Sequence, residues 1–410
     1  MTTTDTIDLE REVATAAQHA DVADPVDFYR YRDLLTSDER LRLADLRAYL
    51  EREVAPIADE YWERAESPRQ VFRPLADLGL YGAGFPEVAQ FDNSALFRGW
   101  VSYEMARVDS SVATMAGVHS GLAMNAVAIG GSDEQRADLL PKMARGEIVG
   151  AFGLTEPFSG SDTARGIRTT ARRDGDEWVL DGAKRWIGNA TFADIVVIWA
   201  RDVADSKVKG FLVTRGTPGF TATKIERKQS LRAVENADIT LVDVRLPDSA
   251  RLARVHSFRE VALILRQTRS DVAWQALGNG VGAYEAAVAY ARSREQFGRV
   301  IGSYQLVQSK LVTCLTEITA SIALCTRTAQ LQDAGTLTDE QSAMAKATVS
   351  ERMRRVVALC REILGGNGIQ LDYGVARHFA DAEAIYTYEG THDMNTLIVG
   401  RDITGIPAFA

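Results

Sequence analysis

The stretch RTTARRDGDEWVLDGAKRWI, residues 168–187, marks a change in the character of the chain. It begins a region of short runs rich in threonine, valine, isoleucine and tryptophan, and it holds two Asp-Gly pairs, at 174–175 and 181–182. An Asp-Gly pair between such residues is a strong signal for a two-residue β-hairpin turn. Similar short runs continue beyond this stretch. We therefore predict an all-β insert of roughly 110 residues, enough for a compact barrel.

Helical periodicity occupies the chain on both sides of this insert. Thr36 and Glu39 have the spacing of a capping box, and the leucines that follow recur at helical intervals. After about residue 263, apolar residues again recur every three or four positions in long series, the last of which stops at a Gly-Gly-Asn-Gly run. The order is therefore helical, then β, then helical, which predicts a mainly α protein with a β insert.

The domain boundaries follow from these changes of pattern. We predict a flexible tail, an N-terminal helical domain, a middle β domain and a C-terminal helical bundle domain, at residues 1–25, 26–148, 149–262 and 263–410.

Composition restricts the class of protein. The 410 residues are 46% hydrophobic and 25% charged, and the net charge is -9, which is ordinary for a soluble globular protein and argues against a nucleic-acid partner. The acidic N-terminus has no apolar run, and we see no stretch approaching about 18 apolar residues, so we expect a cytoplasmic protein without a membrane segment. Three scattered cysteines and five histidines show no metal-ligand spacing, so we expect no metal site.

One apparent cofactor motif is rejected. GNGVGA, residues 278–283, fits the GxGxxA dinucleotide fingerprint, but it lies inside a helical pattern with no strand before it. The glycines are better explained by close packing of helices.

Two other segments each allow two readings. GAFGLTEPFSGSD (150–162) begins like a strand and becomes a loop rich in hydroxyls and glycine, which could bind a polar ligand or simply close a strand. In KRWIGN (184–189), Trp186 could cover a planar ring or fill a core.

Glu389 in IYTYEGT (385–391) is also ambiguous on residues alone. In a poorly solvated cavity its pKa would rise and it would become a competent base near neutral pH. Alternatively it pairs with an arginine such as Arg377 or Arg269.

Taken together, five segments in order resemble the acyl-CoA dehydrogenase family: GLTEPFSGSD, WIGN, RSREQFG, LGGNG and YEGT. The resemblance covers roughly residues 35–410. Within the family, the chain is similar to the branch of glutaryl-CoA dehydrogenases and plant short-chain acyl-CoA oxidases. The resemblance implies an N-terminal helical domain, a middle β-barrel domain and a C-terminal four-helix bundle. It also implies bound FAD, a homotetramer built as a dimer of dimers, and oxidation of a short-chain acyl-CoA to the trans-2-enoyl-CoA.

The resemblance assigns roles to individual residues. Glu389 would remove the α-proton while the β-hydrogen leaves as hydride to flavin N5, and the backbone N–H of Glu389 with a flavin ribityl hydroxyl would hold the enolate oxygen. Four residues are assigned to the substrate: Ser161, Arg269, Tyr388 and Gly390. The residues assigned to FAD are Phe152, Leu154, Thr155, Ser161, Trp186, Ile187, Arg294, Phe297, Gln305, Glu362, Gly365, Gly366, Thr391 and Asp393. Of these, Arg294 and Phe297 would reach the flavin of a neighbouring subunit.

Two departures from the family pattern bear on the substrate and on the electron acceptor. Glutaryl-CoA dehydrogenases place an arginine and a serine where this chain has Ala113 and Gly117, so we expect that glutaryl-CoA is not the substrate. Gly188 in WIGN replaces a threonine whose hydroxyl would donate to the flavin, a change shared with the plant oxidases. We expect an electron-transferring flavoprotein as acceptor, with molecular oxygen as the alternative.

Overall fold

The computed structural model describes residues 26–408, so the predicted tail at 1–25 lies outside the described residues. The first part of the chain is helical. Its helices are α1 (Ser37–Tyr49), α2 (Ala55–Arg64), α3 (Phe72–Asp77), α4 (Ala95–Val108), α5 (Ser110–Ala116), α6 (Asn125–Gly130) and α7 (Asp133–Ala144). The π-helical segments Leu50–Val54 and Gly117–Met124 join α1 to α2 and α5 to α6. The predicted capping box is confirmed, because Thr36 and Glu39 each bond the backbone N–H of the other at the start of α1.

The expectation that no stretch approaches about 18 apolar residues does not hold for the continuous run from α5 to α6. Ser110–Gly130 is long and apolar enough to cross a membrane by length and composition alone. More than half of its apolar window is buried inside the fold, where core helices of globular proteins pass the same test. Its apolar character is explained by packing.

The middle of the chain forms a curled seven-stranded sheet. Its strands are β1 (Gly150–Gly153), β2 (Thr170–Asp174), β3 (Glu177–Ile187), β4 (Ile195–Asp202), β5 (Val208–Thr214), β6 (Phe220–Lys224) and β7 (Ala237–Pro247). The short helix α8 (Thr163–Gly166) precedes β2. The order is β1-β4-β2-β3-β7-β6, with β5 also paired to β4. Both β1 and β2 run parallel to β4, and the other pairs are antiparallel.

The two Asp-Gly pairs adopt different structures. Asp174-Gly175 forms the predicted turn between β2 and β3, with Gly175 at φ 62°. The prediction of a turn at Asp181-Gly182 is wrong, because β3 continues through it and the pairing with β7 shifts register there. Gly182 is needed for close approach instead, since a Cβ at this position would lie 2.6 Å from Oγ1 of Thr169.

The last part of the chain is a helical bundle. Its helices are α9 (Phe258–Ser293), α10 (Gln305–Asp333), α11 (Asp339–Ile363), α12 (Val375–Thr387) and α13 (His392–Thr404). A two-residue hairpin of β8 (Glu295–Gln296) and β9 (Arg299–Val300) connects α9 to α10. The predicted fold class, mainly α with a β insert, is confirmed.

The glycines of the rejected dinucleotide motif lie inside α9 against α4. A Cβ at Gly278 would lie 2.2 Å from the backbone oxygen of Tyr103, and one at Gly282 would lie 2.3 Å from that of Arg107. The interpretation as close helix packing is therefore confirmed, and it brings α9 through the centre of the molecule.

Candidate active site

A cavity of about 670 Å³ opens where the sheet meets the helices. Its walls are the ends of β1 and β3, the segment Gly117–Met124, the middle of α9 and the loop that connects α12 to α13. This volume is within the range of pockets that hold a cofactor or a small-molecule substrate.

The cavity brings together most of the residues predicted for the site. Those that line it are Glu389, Phe152, Leu154, Thr155, Ser161, Trp186, Ile187, Arg269, Tyr388, Gly390 and Thr391. The residues assigned to FAD that do not line it are Arg294, Phe297, Gln305, Glu362, Gly365, Gly366 and Asp393. The seven residues of this second group are all exposed. Phe297 is 95% exposed at the tip of the β8–β9 hairpin, a position open to contact from another molecule.

Glu389 faces the cavity with one hydrogen-bond partner. Its carboxylate accepts a 3.0 Å bond from Oγ1 of Thr268 on α9. Burial raises the pKa of Glu389, and the charge of Arg269, the Thr268 bond and the charge of Lys346 offset this only in part. Neither arginine considered as an ion-pair partner binds it: Arg377 bonds other groups, and Arg269 forms no ion pair with Glu389.

The backbone at Glu389 is held in an uncommon conformation. Glu389 has φ 54° and Gly390 has φ 82°, both left-handed, which side chains other than glycine rarely adopt. The ammonium of Lys346 on α11 donates to the carbonyls of Tyr386, at 2.7 Å, and of Gly390, at 2.9 Å. Asn395 donates to the Gly390 carbonyl from the other side, at 2.9 Å. The left-handed turn is therefore fixed by side chains from two helices.

Thr268 and Lys346 are functional candidates that the sequence analysis missed. Lys346 is fully buried, and burial lowers its pKa to about 8, against the pull of Glu389. A lone lysine in the small-residue run AMAKATVS was a possible signal. Thr268 gave none, since threonine in a helix is common.

The loop after β1 is anchored by a buried ion pair. Glu156 accepts from Nζ of Lys184 on β3 at 2.8 Å and from the backbone N–H groups of Arg168 and Thr169. The carbonyl of Thr155 accepts from the N–H of Arg185 at 2.8 Å. This loop is thus a fixed wall of the cavity, which favours the ligand-binding reading of GLTEPFSGSD.

Trp186 presents its indole to the cavity. It is 50% exposed, whereas Trp178 and Trp199 of the same sheet are buried. Its left-handed φ of 65° turns the chain out of the regular strand. Because a tryptophan used for packing would be buried, this exposure favours the ring-covering reading.

Gly188 lies in the cavity wall next to Trp186. A Cβ at this position would lie 3.1 Å from Cγ2 of Val118, which is a tight contact. Val118 therefore occupies the space that a larger residue at 188 would need.

A second cavity of about 260 Å³ adjoins the first. The two share Gly117, Gly121, Asp271 and Gln275 in their walls. Ala113 lines only the second cavity, where Ser120 of the same helical run also lies. Arg98 on α4 lines it as well, a residue that the sequence analysis did not consider.

Family models match almost the whole described chain. The acyl-CoA dehydrogenase N-terminal domain matches residues 36–147, the middle domain 151–244 and the C-terminal domain 258–404. The chain belongs to the acyl-CoA dehydrogenase family.

Individual relatives agree with this assignment. An acyl-CoA dehydrogenase of Bacillus subtilis is 32% identical over 380 residues, which cover 90% of this chain and 99% of the relative. A glutaryl-CoA dehydrogenase of Mycobacterium smegmatis in complex with FADH2 has a TM-score of 0.91 at 35% identity, covering 95% of this chain and all of that one. Butyryl-CoA dehydrogenase of Megasphaera elsdenii has a TM-score of 0.86 at 29% identity, covering 90% of this chain and 99% of that one.

The protein is therefore an oxidoreductase that acts on acyl-CoA and uses FAD. The residues present fit that cofactor, because the cavity combines an exposed aromatic face at Trp186 with the hydroxyls of Thr155, Ser161 and Thr391. A flat ring system with polar substituents needs this combination.

Proposed function

We propose that the protein oxidises a short-chain acyl-CoA, straight or branched, to the trans-2-enoyl-CoA, with Glu389 as the base that removes the α-proton. The observation that carries this proposal is a carboxylate that faces the FAD-sized cavity with a single side-chain donor, Thr268, and a raised pKa. A base with a raised pKa holds a proton more strongly, so it is better matched to a weakly acidic carbon acid.

The backbone at Glu389 supports a second role. Its N–H donates to none of the described residues, and it lies beside the carboxylate at the same cavity wall. A free N–H fixed in this position would stabilise the negative charge that develops on the thioester oxygen when the α-proton leaves. Lys346 and Asn395 hold this N–H in place through the neighbouring carbonyls, so the donor is preorganised.

FAD, when bound, accepts the β-hydrogen as hydride. The chain supplies the geometry around that step. Trp186, Ile187 and Glu389 all line the cavity, so a thioester whose acyl end lies at Glu389 would have its α-carbon within reach of the base.

The proposal extends to partners. We infer an electron-transferring flavoprotein as the electron acceptor and a homotetramer, a dimer of dimers, as the assembly. Support for the assembly comes from the exposed predicted FAD residues, above all Phe297, which stand apart from the cavity and are free to meet a neighbouring subunit.

The decisive experiment is anaerobic reduction of the enzyme-bound flavin by a panel of acyl-CoAs from acetyl to palmitoyl, with isobutyryl, isovaleryl and glutaryl included. We expect rapid bleaching by short chains and little by glutaryl-CoA. Absence of bleaching by every thioester would rule out the proposed reaction, and glutaryl-CoA as the best substrate would overturn the expected class.

A second candidate is an acyl-CoA oxidase, which the glycine at 188 favours because no side-chain hydroxyl stands at that point of the wall. Peroxide formation compared with reduction of an artificial electron-accepting dye separates the two. Stoichiometric peroxide at a comparable rate would favour the oxidase.

A further inference from the structure

Asp271 is a partly buried carboxyl group that the proposed reaction does not use. It lies on α9 one turn from Thr268, the residue bonded to the base, and one turn from Gln275. It lines both cavities. Among residues 26–408 it has no hydrogen bond and no ion pair. A carboxyl group at a cavity wall without a protein partner is free to bind a group that enters the cavity.

The direction of the Asp271 side chain follows from its neighbour. A Cβ built on Gly121 would lie 3.8 Å from Oδ2 of Asp271. The carboxyl therefore faces the segment Gly117–Met124 across the point where the cavities adjoin. On the same side of α9, the amide of Gln275 would lie 3.0 Å from a Cβ at Gly117, and it is held by Tyr388, whose hydroxyl donates to it at 2.8 Å.

The charges around Asp271 restrict what it can bind. Burial raises its pKa to about 7, Arg98 opposes this and Glu389 adds to it. Arg98 forms no ion pair with Asp271 and is held by the side-chain and backbone oxygens of Asn93, at 2.7 and 3.4 Å. Arg98 would attract a carboxylate that Asp271 repels, and Asp271 would attract a cation that Arg98 repels, so neither charge is favoured by both groups.

We propose that Asp271 determines substrate specificity by accepting a hydrogen bond from an uncharged donor, such as a carboxamide, at the far end of the acyl chain. This rests on the proposed function, because it places the acyl chain with its α-carbon at Glu389. Thr268 and Asp271 are three residues apart, which separates them by about 4.5 Å along the helix axis. A donor three or four bonds beyond the α-carbon, counted roughly from that rise, therefore reaches Asp271.

The test uses four thioesters of similar size. They are 4-carbamoylbutyryl-CoA, the apolar isostere 5-methylhexanoyl-CoA, the carboxylate glutaryl-CoA and the cation 4-trimethylammoniobutyryl-CoA. The measurement is the second-order rate of anaerobic flavin reduction in the holoenzyme. We expect the carboxamide to react at least about tenfold faster than the isopropyl compound, because the latter leaves Asp271 unpaired. A preference for the apolar, anionic or cationic compound would overturn the inference.

Variants connect the preference to Asp271. Asp271→Leu is expected to reverse the ratio of carboxamide to isopropyl rates in favour of the isopropyl compound. If Asp271→Leu is poorly folded, Asp271→Ala, which also removes the acceptor and adds no bulk, is expected to reduce the carboxamide rate relative to wild type while remaining folded by circular dichroism. Asp372→Leu, at an exposed position on a different segment, is the matched control and should keep the wild-type ratio. An unchanged ratio in both Asp271 variants contradicts the inference.

The two proposals fail in different ways. If no thioester reduces the flavin of wild type, the proposed function is wrong and the specificity inference falls with it. If the enzyme is reduced but selects the apolar chain, only the role of Asp271 is wrong.

Discussion

Two glutamates in the segments around the cavity behave in opposite ways. Glu156 accepts from Lys184 and from two backbone N–H groups, whereas Glu389 accepts from Thr268 alone. Burial alone would raise the pKa of either. For Glu156 the charge and hydrogen bond of Lys184, with the bonds from residues 168 and 169, lower the pKa below its usual value, but for Glu389 the pKa stays raised.

The difference teaches how one residue type is assigned to structure or to chemistry. A carboxylate that accepts three hydrogen bonds, one of them from a cation, is a fixed structural charge, and one left with a single donor can take up a proton. Each of the two glutamates lies in one of the sequence motifs of the family, Glu156 in GLTEPFSGSD and Glu389 in YEGT. Their different roles therefore follow from the number of hydrogen-bond donors around each carboxylate.

The largest effect we expect comes from Glu389→Gln. The amide keeps the size of the side chain but cannot accept the α-proton, so flavin reduction by a good acyl-CoA should fall by about a hundredfold or more. FAD content and ligand binding should persist. The measurement is stopped-flow flavin bleaching, with Glu351→Gln, an exposed glutamate on α11, as control. A rate within about tenfold of wild type would exclude general-base catalysis by this residue.

The corresponding test of Glu156, the structural glutamate, is the substitution Lys184→Met. It leaves Glu156 buried without its cation, which costs about 3–5 kcal/mol in such pairs. We expect a lower free energy of unfolding in urea and a weaker hold on FAD. Lys142→Met breaks an exposed ion pair with Asp138 and should cost about 1 kcal/mol or less. Equal effects of the two variants would contradict the assignment of Glu156 as structural.

Thr268→Val tests the single donor to the base. Because the bond from Thr268 lowers the pKa of Glu389, its removal should raise that pKa further. Only the ionised carboxylate removes a proton, so kcat/KM rises with pH through this pKa, and the variant's rising limb should move to higher pH. Thr326→Val is the control, since the buried hydroxyl of Thr326 has no partner. An unshifted limb in Thr268→Val would show that the bond does not tune the base.

The smallest effect is expected for Gly188→Ala. The added Cβ would press on Val118 at 3.1 Å, so a loss of about 1 kcal/mol or less in unfolding free energy is expected if Val118 moves. Gly160→Ala, with no atom within 4 Å of the added Cβ, should show no loss of packing. A larger loss would mean that the wall at Trp186 is more rigid than its exposure suggests.

The helical–β–helical order and the first capping box could be predicted from sequence because local patterns carry them. The second Asp-Gly pair could not, since the dipeptide is identical to the first and only the pairing of β3 with β7 makes it a bulge. Local sequence fixes a turn only where the strands on both sides are free to end.

The site divides in the same way. Glu389 could be predicted from the sequence because its own segment carries a motif. The same is true of the loop around Glu156. Thr268, Asp271 and Lys346 come from distant helices. Lys346 is a single charge in a small-residue run, and Thr268 and Asp271 lie in the polar run RQTRSD, where nothing distinguishes them from their neighbours. Their importance depends on how α9 and α11 pack against the loop after α12. This packing joins segments that are far apart in the chain, so the spacing of residues in the sequence does not predict it.

The left-handed turn at residues 389–390 has a consequence for anyone who wishes to re-engineer this catalyst. Substitutions along this loop are restricted by the backbone, because a β-branched or bulky residue at 389 would be strained at the left-handed φ of this position. The activities of variants at this position will therefore depend both on how well the new residue tolerates a left-handed φ and on the pKa of its side chain. A designer who wants a new proton acceptor has more freedom on α9, where the backbone is regular and the same cavity is within reach.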